Sequence, residues 1–304
     1  MIFKGGAVMN RSVTFLLSVF SVIMALSIVA PASAMDYIIG AKGGYYVWRP
    51  FLRDIPGSSF STLESGTGAL AGPIFGISFT NDITLSVSGL FGQQTAQWST
   101  GNTYNEKEGK YESTTSYMQE QRYDIDTALS YQVIQGLRLF VGYKYQYLEV
   151  EWISSTRQAG DLTSMSVSDD EVEFKIPLQG ISIGGSYVAP FSDLYFFSMT
   201  LSGIIMRGKF KYSSHEIRYR TFESTAIAGT PDSESDTFDM QQMGFNFEPA
   251  IGIRTGGPII TLGMRYQYLR SQFYNQEATS NDGPSDNWMN DHLYGVFMSV
   301  MFVL

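Results

Sequence analysis

Apolar and polar residues take turns with a period of two through most of the chain after residue 34. That spacing places successive side chains on opposite faces of an extended strand. In one segment Leu137, Leu139, Val141, Tyr143, Tyr145 and Tyr147 share a face, and Arg138, Gly142, Lys144 and Gln146 share the other. In another, Ile260, Leu262, Met264, Tyr266 and Tyr268 oppose Thr261, Gly263, Arg265 and Gln267. The last runs Tyr294, Val296, Met298, Val300, Phe302 and Leu304 to the end of the sequence. Read this way, the chain predicts ten strands, at roughly 36–48, 69–79, 83–97, 117–133, 137–152, 172–189, 194–212, 238–255, 259–274 and 288–304.

The connections carry as much information. Four are tight: Thr80-Asn81-Asp82, Ile134-Gln135-Gly136, Phe191-Ser192-Asp193 and Gly256-Gly257. They alternate with five long polar ones, near 49–68, 98–116, 153–171, 213–237 and 275–287. Strict alternation of short turns and long loops is how barrels in the outer membrane distribute their periplasmic and extracellular ends. The expected fold is therefore all-β, an antiparallel transmembrane up-and-down β-barrel of about ten strands. The even count puts both termini on the periplasmic side and the long loops outside. The apolar set would face lipid and the polar set the lumen. Stacked Tyr, with Trp48, Trp98, Trp152 and Trp288 near the long-loop mouths, would form an outer aromatic girdle.

Hairpin turns also fix register. The Gly256-Gly257 turn places Glu248 opposite Arg265 and Asn246 opposite Gln267. The turn at 134–136 places Asp126 opposite Lys144 and Asp124 opposite Gln146. All eight fall on the expected lumen face, so two hairpins each set an acid beside a base, the arrangement in which charge away from bulk water is tolerable. The expected lumen is small, polar and blocked, because about ten strands lie near the limit at which side chains fill a barrel. Pro73, Pro177 and Pro249 raise the expectation of bulges within strands, and the apolar face changes near Gly180, where a bulge is expected too. A gapless match between 123–148 and 244–269, including Gly142–Leu148 against Gly263–Leu269, suggests duplicated four-strand units; convergence on a barrel pattern would give the same match.

Composition adds boundaries. Lys4 and Arg11, an apolar run from Val13 to Ala30, then Ala32-Ser33-Ala34 read as a secretory signal peptide, leaving residues 35–304 as one outer-membrane β-barrel domain. Removing 1–34 takes two of the 20 Lys+Arg and none of the 29 Asp+Glu, leaving 18 against 29, a net charge of −11. Such an acidic chain would repel phosphates, so nucleic acid is not an expected partner. The sequence holds no cysteine, which removes disulfides, thiolate metal sites and Cys nucleophiles. Aromatics make 14% of the chain while mean hydropathy is only −0.05, and no run after Ala34 reaches spanning-helix length. Strands that alternate apolar and polar reconcile these values. Expected partners are outer-membrane lipid, the barrel-assembly machinery and an unidentified extracellular ligand at the loops. No cofactor is expected.

Candidate chemistry is sparse. His215 opens the fourth long loop, and His292 follows Asp291 at the top of the last strand, where alternation sends Asp291 inward and His292 outward. The strand phrases Arg122-Tyr123-Asp124-Ile125-Asp126 before Leu137–Tyr143, and Lys175-Ile176-Pro177 before Gly184-Gly185-Ser186-Tyr187, together with ten strands and five long loops, resemble the omptins, the outer-membrane surface proteases. Membership would imply an Asp-x-Asp pair on the second long loop and an Asp-x-His pair on the fourth. Here those loops offer Glu106-Lys107-Glu108 and Ser213-Ser214-His215. The carboxylate that would orient His215 is missing, so the resemblance implies the architecture without the proteolytic site. Clustered acids at Asp169-Asp170-Glu171 lack calcium-ligand spacing. The expected function is that of a non-enzymatic integral barrel with long acidic surface loops. The alternatives are a narrow solute channel and an omptin-like hydrolase with an altered site.

Overall fold

A computed structural model describes residues 35–54, 65–105, 110–159, 164–222, 225–228, 232–274 and 288–304. The strands are β1 (Asp36–Arg49), β2 (Gly66–Ser78), β3 (Ile83–Asn105), β4 (Lys110–Ile134), β5 (Leu137–Ala159), β6 (Ser164–Pro190), β7 (Tyr195–Phe222), β8 (Thr225–Ala228), β9 (Asp232–Arg254), β10 (Ile259–Tyr274) and β11 (Met289–Val303). Consecutive strands pair antiparallel from β1 to β7 and from β9 to β11, β7 pairs with β9, and β1 pairs with β11. The ring therefore closes with ten strands. Short β8 takes over the edge of β7 beyond the start of β9. The fold is an antiparallel up-and-down β-barrel, the class the alternation predicts.

The strands differ from expectation in length. The segments near 98–116, 153–171 and 213–237 were expected to be loops, but most of each continues the flanking strands. Backbone pairing continues through these Ser-, Thr- and charge-rich stretches, with one register shift between Thr100 and Thr103, so ladder hydrogen bonding extends beyond the apolar stretches that first mark the strands. The first long connection carries a 3-10 turn, Phe51–Asp54.

The expected bulges are absent at all three prolines and at Gly180. Pro177 drops its pairing with β7 but keeps Tyr147 on β5, and the β6–β7 register is the same on both sides of the gap. Pro73 and Pro249 do the same, losing pairs on one side only. A missing N–H thus removes local bonds without slipping the ladder. At the turn after β4, Gly136 has φ of +83°, a conformation that disfavours a side chain, and a Cβ there would crowd the Val188 carbonyl.

The face change near Gly180 has a different cause. Strand parity is constant, but the chemistry of the two faces exchanges partway up the wall. On β6, Ile183 and Ile181 point outward at 70% and 62% exposure, whereas Ile176 and Leu178 point inward and are fully buried. Outward on the same strand above them come Lys175, Glu173 and Glu171. The same exchange occurs on β7, from outward Leu201 and Ile205 to Arg207, and on β10, from outward Leu262 and Met264 to Arg270. The lower wall is apolar outside and polar inside; the upper wall is the reverse. Tyrosines mark the boundary on the outside, including Tyr45, Tyr123, Tyr147, Tyr266 and Tyr294.

The tryptophans do not follow the expected girdle. Trp48 shares the inner face with Lys42 and Tyr46 and is fully buried, and Trp152 packs against the interior apolar cluster. Trp288 stacks with the Arg270 guanidinium. The Trp98 side chain lies outside the described residues.

The exchange of faces generates a paired expectation. Leu262→Arg places a charge in the outward apolar band and should cost about 2–4 kcal/mol in lipid vesicles. Lys211→Leu, higher on the outer wall, should change stability by under about 0.5 kcal/mol. Denaturant titration of vesicle-inserted protein measures both, and equal costs would contradict the two-zone wall.

Candidate functional site

The interior is stacked in three layers. Nearest the short turns is a cavity of about 340 Å³, lined largely by Ser, Thr and charged residues. Above it lies a layer of buried charge. The upper lumen is filled by apolar side chains.

The charge layer is assembled from inward positions on five strands. Lys144 Nζ on β5 lies 2.9 Å from Asp126 Oδ1 on β4, its direct cross-strand partner. Arg265 Nε on β10 lies 3.5 Å from Glu248 Oε1 on β9. Asn246 stands opposite Gln267, and Asp124 opposite Gln146. The four charged residues singled out by turn geometry thus form two pairs in the wall.

The structure joins these pairs through residues that turn geometry did not identify as their partners. Lys42 on β1 reaches across the lumen to Glu248 Oε2 at 2.6 Å. Arg122 Nε donates to both Asp124 oxygens at 3.2 Å, and its Nη2 donates to Gln146 Oε1 at 3.3 Å. Asp124 Oδ2 also lies 3.6 Å from Arg265 and 3.9 Å from Lys144, so three cations converge on one carboxylate. Glu120 sits 3.8 Å from Arg122 Nη1. Lys42, Arg122, Lys144 and Arg265 thereby face Glu120, Asp124, Asp126 and Glu248. Equal opposite charge makes such burial tolerable, because each ion removed from water needs a partner. Lys42 was legible as an inward residue of β1. Its partner was not, because β1 and β9 are not neighbours in the ring and hairpin register says nothing about contacts across the bore.

The apolar layer corrects the expectation of a polar lumen throughout. Phe51 packs edge-on against Phe210 and Phe273, with ring centroids 6.2 Å and 6.4 Å away, and Phe174 and Phe238 extend the cluster through Phe210. Phe51 and Leu52 are fully buried, so the first long connection folds back into the barrel mouth. Asp54 Oδ2 fixes it by accepting from the Asn290 backbone N–H at 2.8 Å and from its Nδ2 at 3.1 Å. Beneath, Trp48 Nε1 donates to Asp291 Oδ2 at 3.1 Å, placing Asp291 inward.

Neither histidine faces the interior. His215 is exposed on the outer wall, opposite Glu171 and Ser233 on adjacent strands. His292 points outward, with Nδ1 3.1 Å from Tyr266 Oη and its ring tilted against Tyr268 at 5.0 Å. Glu106 and Glu108 lie outside the described residues. Asp170 points inward while Asp169 and Glu171 point outward, and no cluster of three metal-binding side chains occurs among the described residues.

The convergence on Asp124 predicts an ordered pair of outcomes. Asp124→Asn removes the carboxylate that three buried cations share and the direct partner of Arg122, and should destabilise the folded barrel by about 3–5 kcal/mol. Asp126→Asn, at a carboxylate 38% exposed, should cost less, about 1–3 kcal/mol, because buried Lys144 keeps the Asp124 carboxylate at 3.9 Å. Equilibrium unfolding in detergent or vesicles gives the order, and the reverse order would refute the assignment of Asp124 as the hub.

No family model matches the chain, and no curated protein matches it. Among solved structures, the outer membrane protease OmpT from Escherichia coli is similar at 12% identity and a TM-score of 0.39, over 90% of this chain and 97% of that one. The translocator domain of the autotransporter NalP from Neisseria meningitidis follows at 8% identity and 0.29, over 95% and 96%. CarO from Acinetobacter baumannii is similar at 7% identity and 0.28, over 84% and 95%.

Proposed function

We propose that this chain is an integral outer-membrane barrel with a sealed lumen, whose role is to hold its upper wall and loops at the cell surface for contact with an external ligand. Residues 1–34 serve as the export leader, the tight turns and both termini face the periplasm, and the long connections face outward. Lipid covers the lower apolar wall, and the barrel-assembly machinery inserts the chain.

The observation that carries this reading is the doubly closed bore. A transported solute would have to break the charge layer around Asp124 and also displace the aromatic cluster around Phe51. Those obstacles are chemically opposite, so no single solute is complementary to both. The reading without enzymatic activity rests on the outward placement of both histidines, away from any enclosed space where a water could be activated.

Planar-bilayer recording tests the sealed bore. The folded protein should give no discrete conductance steps. The Phe51→Ala/Leu52→Ala variant should remain closed, because the charge layer below is untouched. Unitary steps from the unaltered protein would overturn the reading. Topology is tested separately. An epitope inserted between Gly256 and Gly257 should be hidden from antibody on intact cells, and one within 275–287 should be accessible.

A further inference from the structure

The cavity below the charge layer has a lining that neither sealing nor surface display explains. At about 340 Å³ it falls within the range of small-molecule sites, roughly 300–1,000 Å³. Three cations line it. Lys144 and Arg265 are each held by a carboxylate, at 2.9 Å from Asp126 and 3.5 Å from Glu248. Arg138, near the short-turn end, has no carboxylate in ion-pair contact among the described residues; its Nη1 donates to the Thr84 hydroxyl at 3.3 Å. With Asp126 and Glu248 as the acids of the lining, the cavity carries one uncompensated positive charge.

Hydroxyls surround that charge. Ser186 is the direct cross-strand partner of Arg138, Thr200 is the partner of Ser186, and Ser130 is the partner of Thr84. All of them line the cavity. A guanidinium offers forked donors to an oxyanion, and neighbouring hydroxyls can donate to the same group or accept from others. At the closed end, Asn246 Oδ1 is a buried acceptor of a lining residue without a hydrogen-bond partner, while Arg265 Nε faces the Glu248 carboxylate. Arg265 is only 3% exposed.

We propose that this chamber is a binding site for a small organic anion rich in hydroxyls, of the sugar-acid class. Its carboxylate engages Arg138, and its hydroxyls run along the serine and threonine wall. A bare carboxylate would leave the hydroxyl wall unused, and a neutral polyol would leave Arg138 uncompensated. The charge layer closes the inner end, so the ligand enters and leaves by the short-turn end and is held rather than passed through. This inference is independent of what the loops contact.

Calorimetric titration of the detergent-folded chain with gluconate tests it, with acetate and sorbitol as the two half-ligands. Gluconate should bind, and each half-ligand should bind at least about tenfold more weakly. Arg138→Gln should weaken gluconate by about tenfold while heat-modifiable gel mobility is retained; Lys211→Ala on the outer wall should leave it unchanged. If Arg138→Gln does not fold, Ser186→Ala/Thr200→Val decides, with weaker gluconate binding expected. A silent gluconate titration, equal binding of acetate or sorbitol, or gluconate affinity indifferent to these cavity variants would overturn the proposal.

Discussion

Everything in this molecule depends on the ladder of backbone hydrogen bonds going all the way round. Where no water is available, each amide must find its partner within the protein, and a sheet meets that demand only when its edges meet. Here the meeting is the long pairing of β6 with β7, from Ser164 with Phe222 to Pro190 with Phe196. Closure also explains why three prolines inside strands are harmless. Each loses bonds to one neighbour while the other neighbour holds the register. Because the prolines do not slip the ladder, inward residues stay inward at their level, and charges from β1, β4, β5, β9 and β10 meet at one height.

The wall is two environments joined end to end. Below the tyrosine level it is built for an apolar exterior, with Ser, Thr and paired charge inside. Above it the wall resembles a water-soluble barrel, with Phe174, Met206, Phe210 and Phe273 inside and Lys, Arg, Glu and Gln outside. The hydrophobic effect acts in both halves with opposite direction relative to the wall, since in each half the apolar face is the one turned from water. The charge layer sits where the interior changes from polar to apolar.

Much of this could be read from the residues. The period of two, the alternation of turn lengths and the counting of hairpin partners were enough to place Asp126 beside Lys144 and Glu248 near Arg265. Strand length was not legible, because the criterion was an apolar face pointing outward, and above the tyrosines that face moves indoors. The same blindness misassigned Trp48 and Trp152, whose positions near loop mouths suggested an interface. Their parity with Lys42 and Gln146 sends them into the bore instead. Contacts across the bore, such as Lys42 with Glu248 or Phe51 with Phe273, depend on barrel diameter and on a loop folding inward, neither of which a linear pattern encodes.

The length of β5, β6 and β7 has a consequence for reach. About twelve residues of β5 and of β6 lie beyond the tyrosine level. At about 3.3 Å per residue and a tilt near 40°, they rise roughly 30 Å beyond the tyrosines. In the orientation proposed above, with the long connections outside, a tower of that height would pass through a layer of surface sugars rather than lie beneath it. Objects too large to penetrate such a layer can then touch the tips while never approaching the lipid.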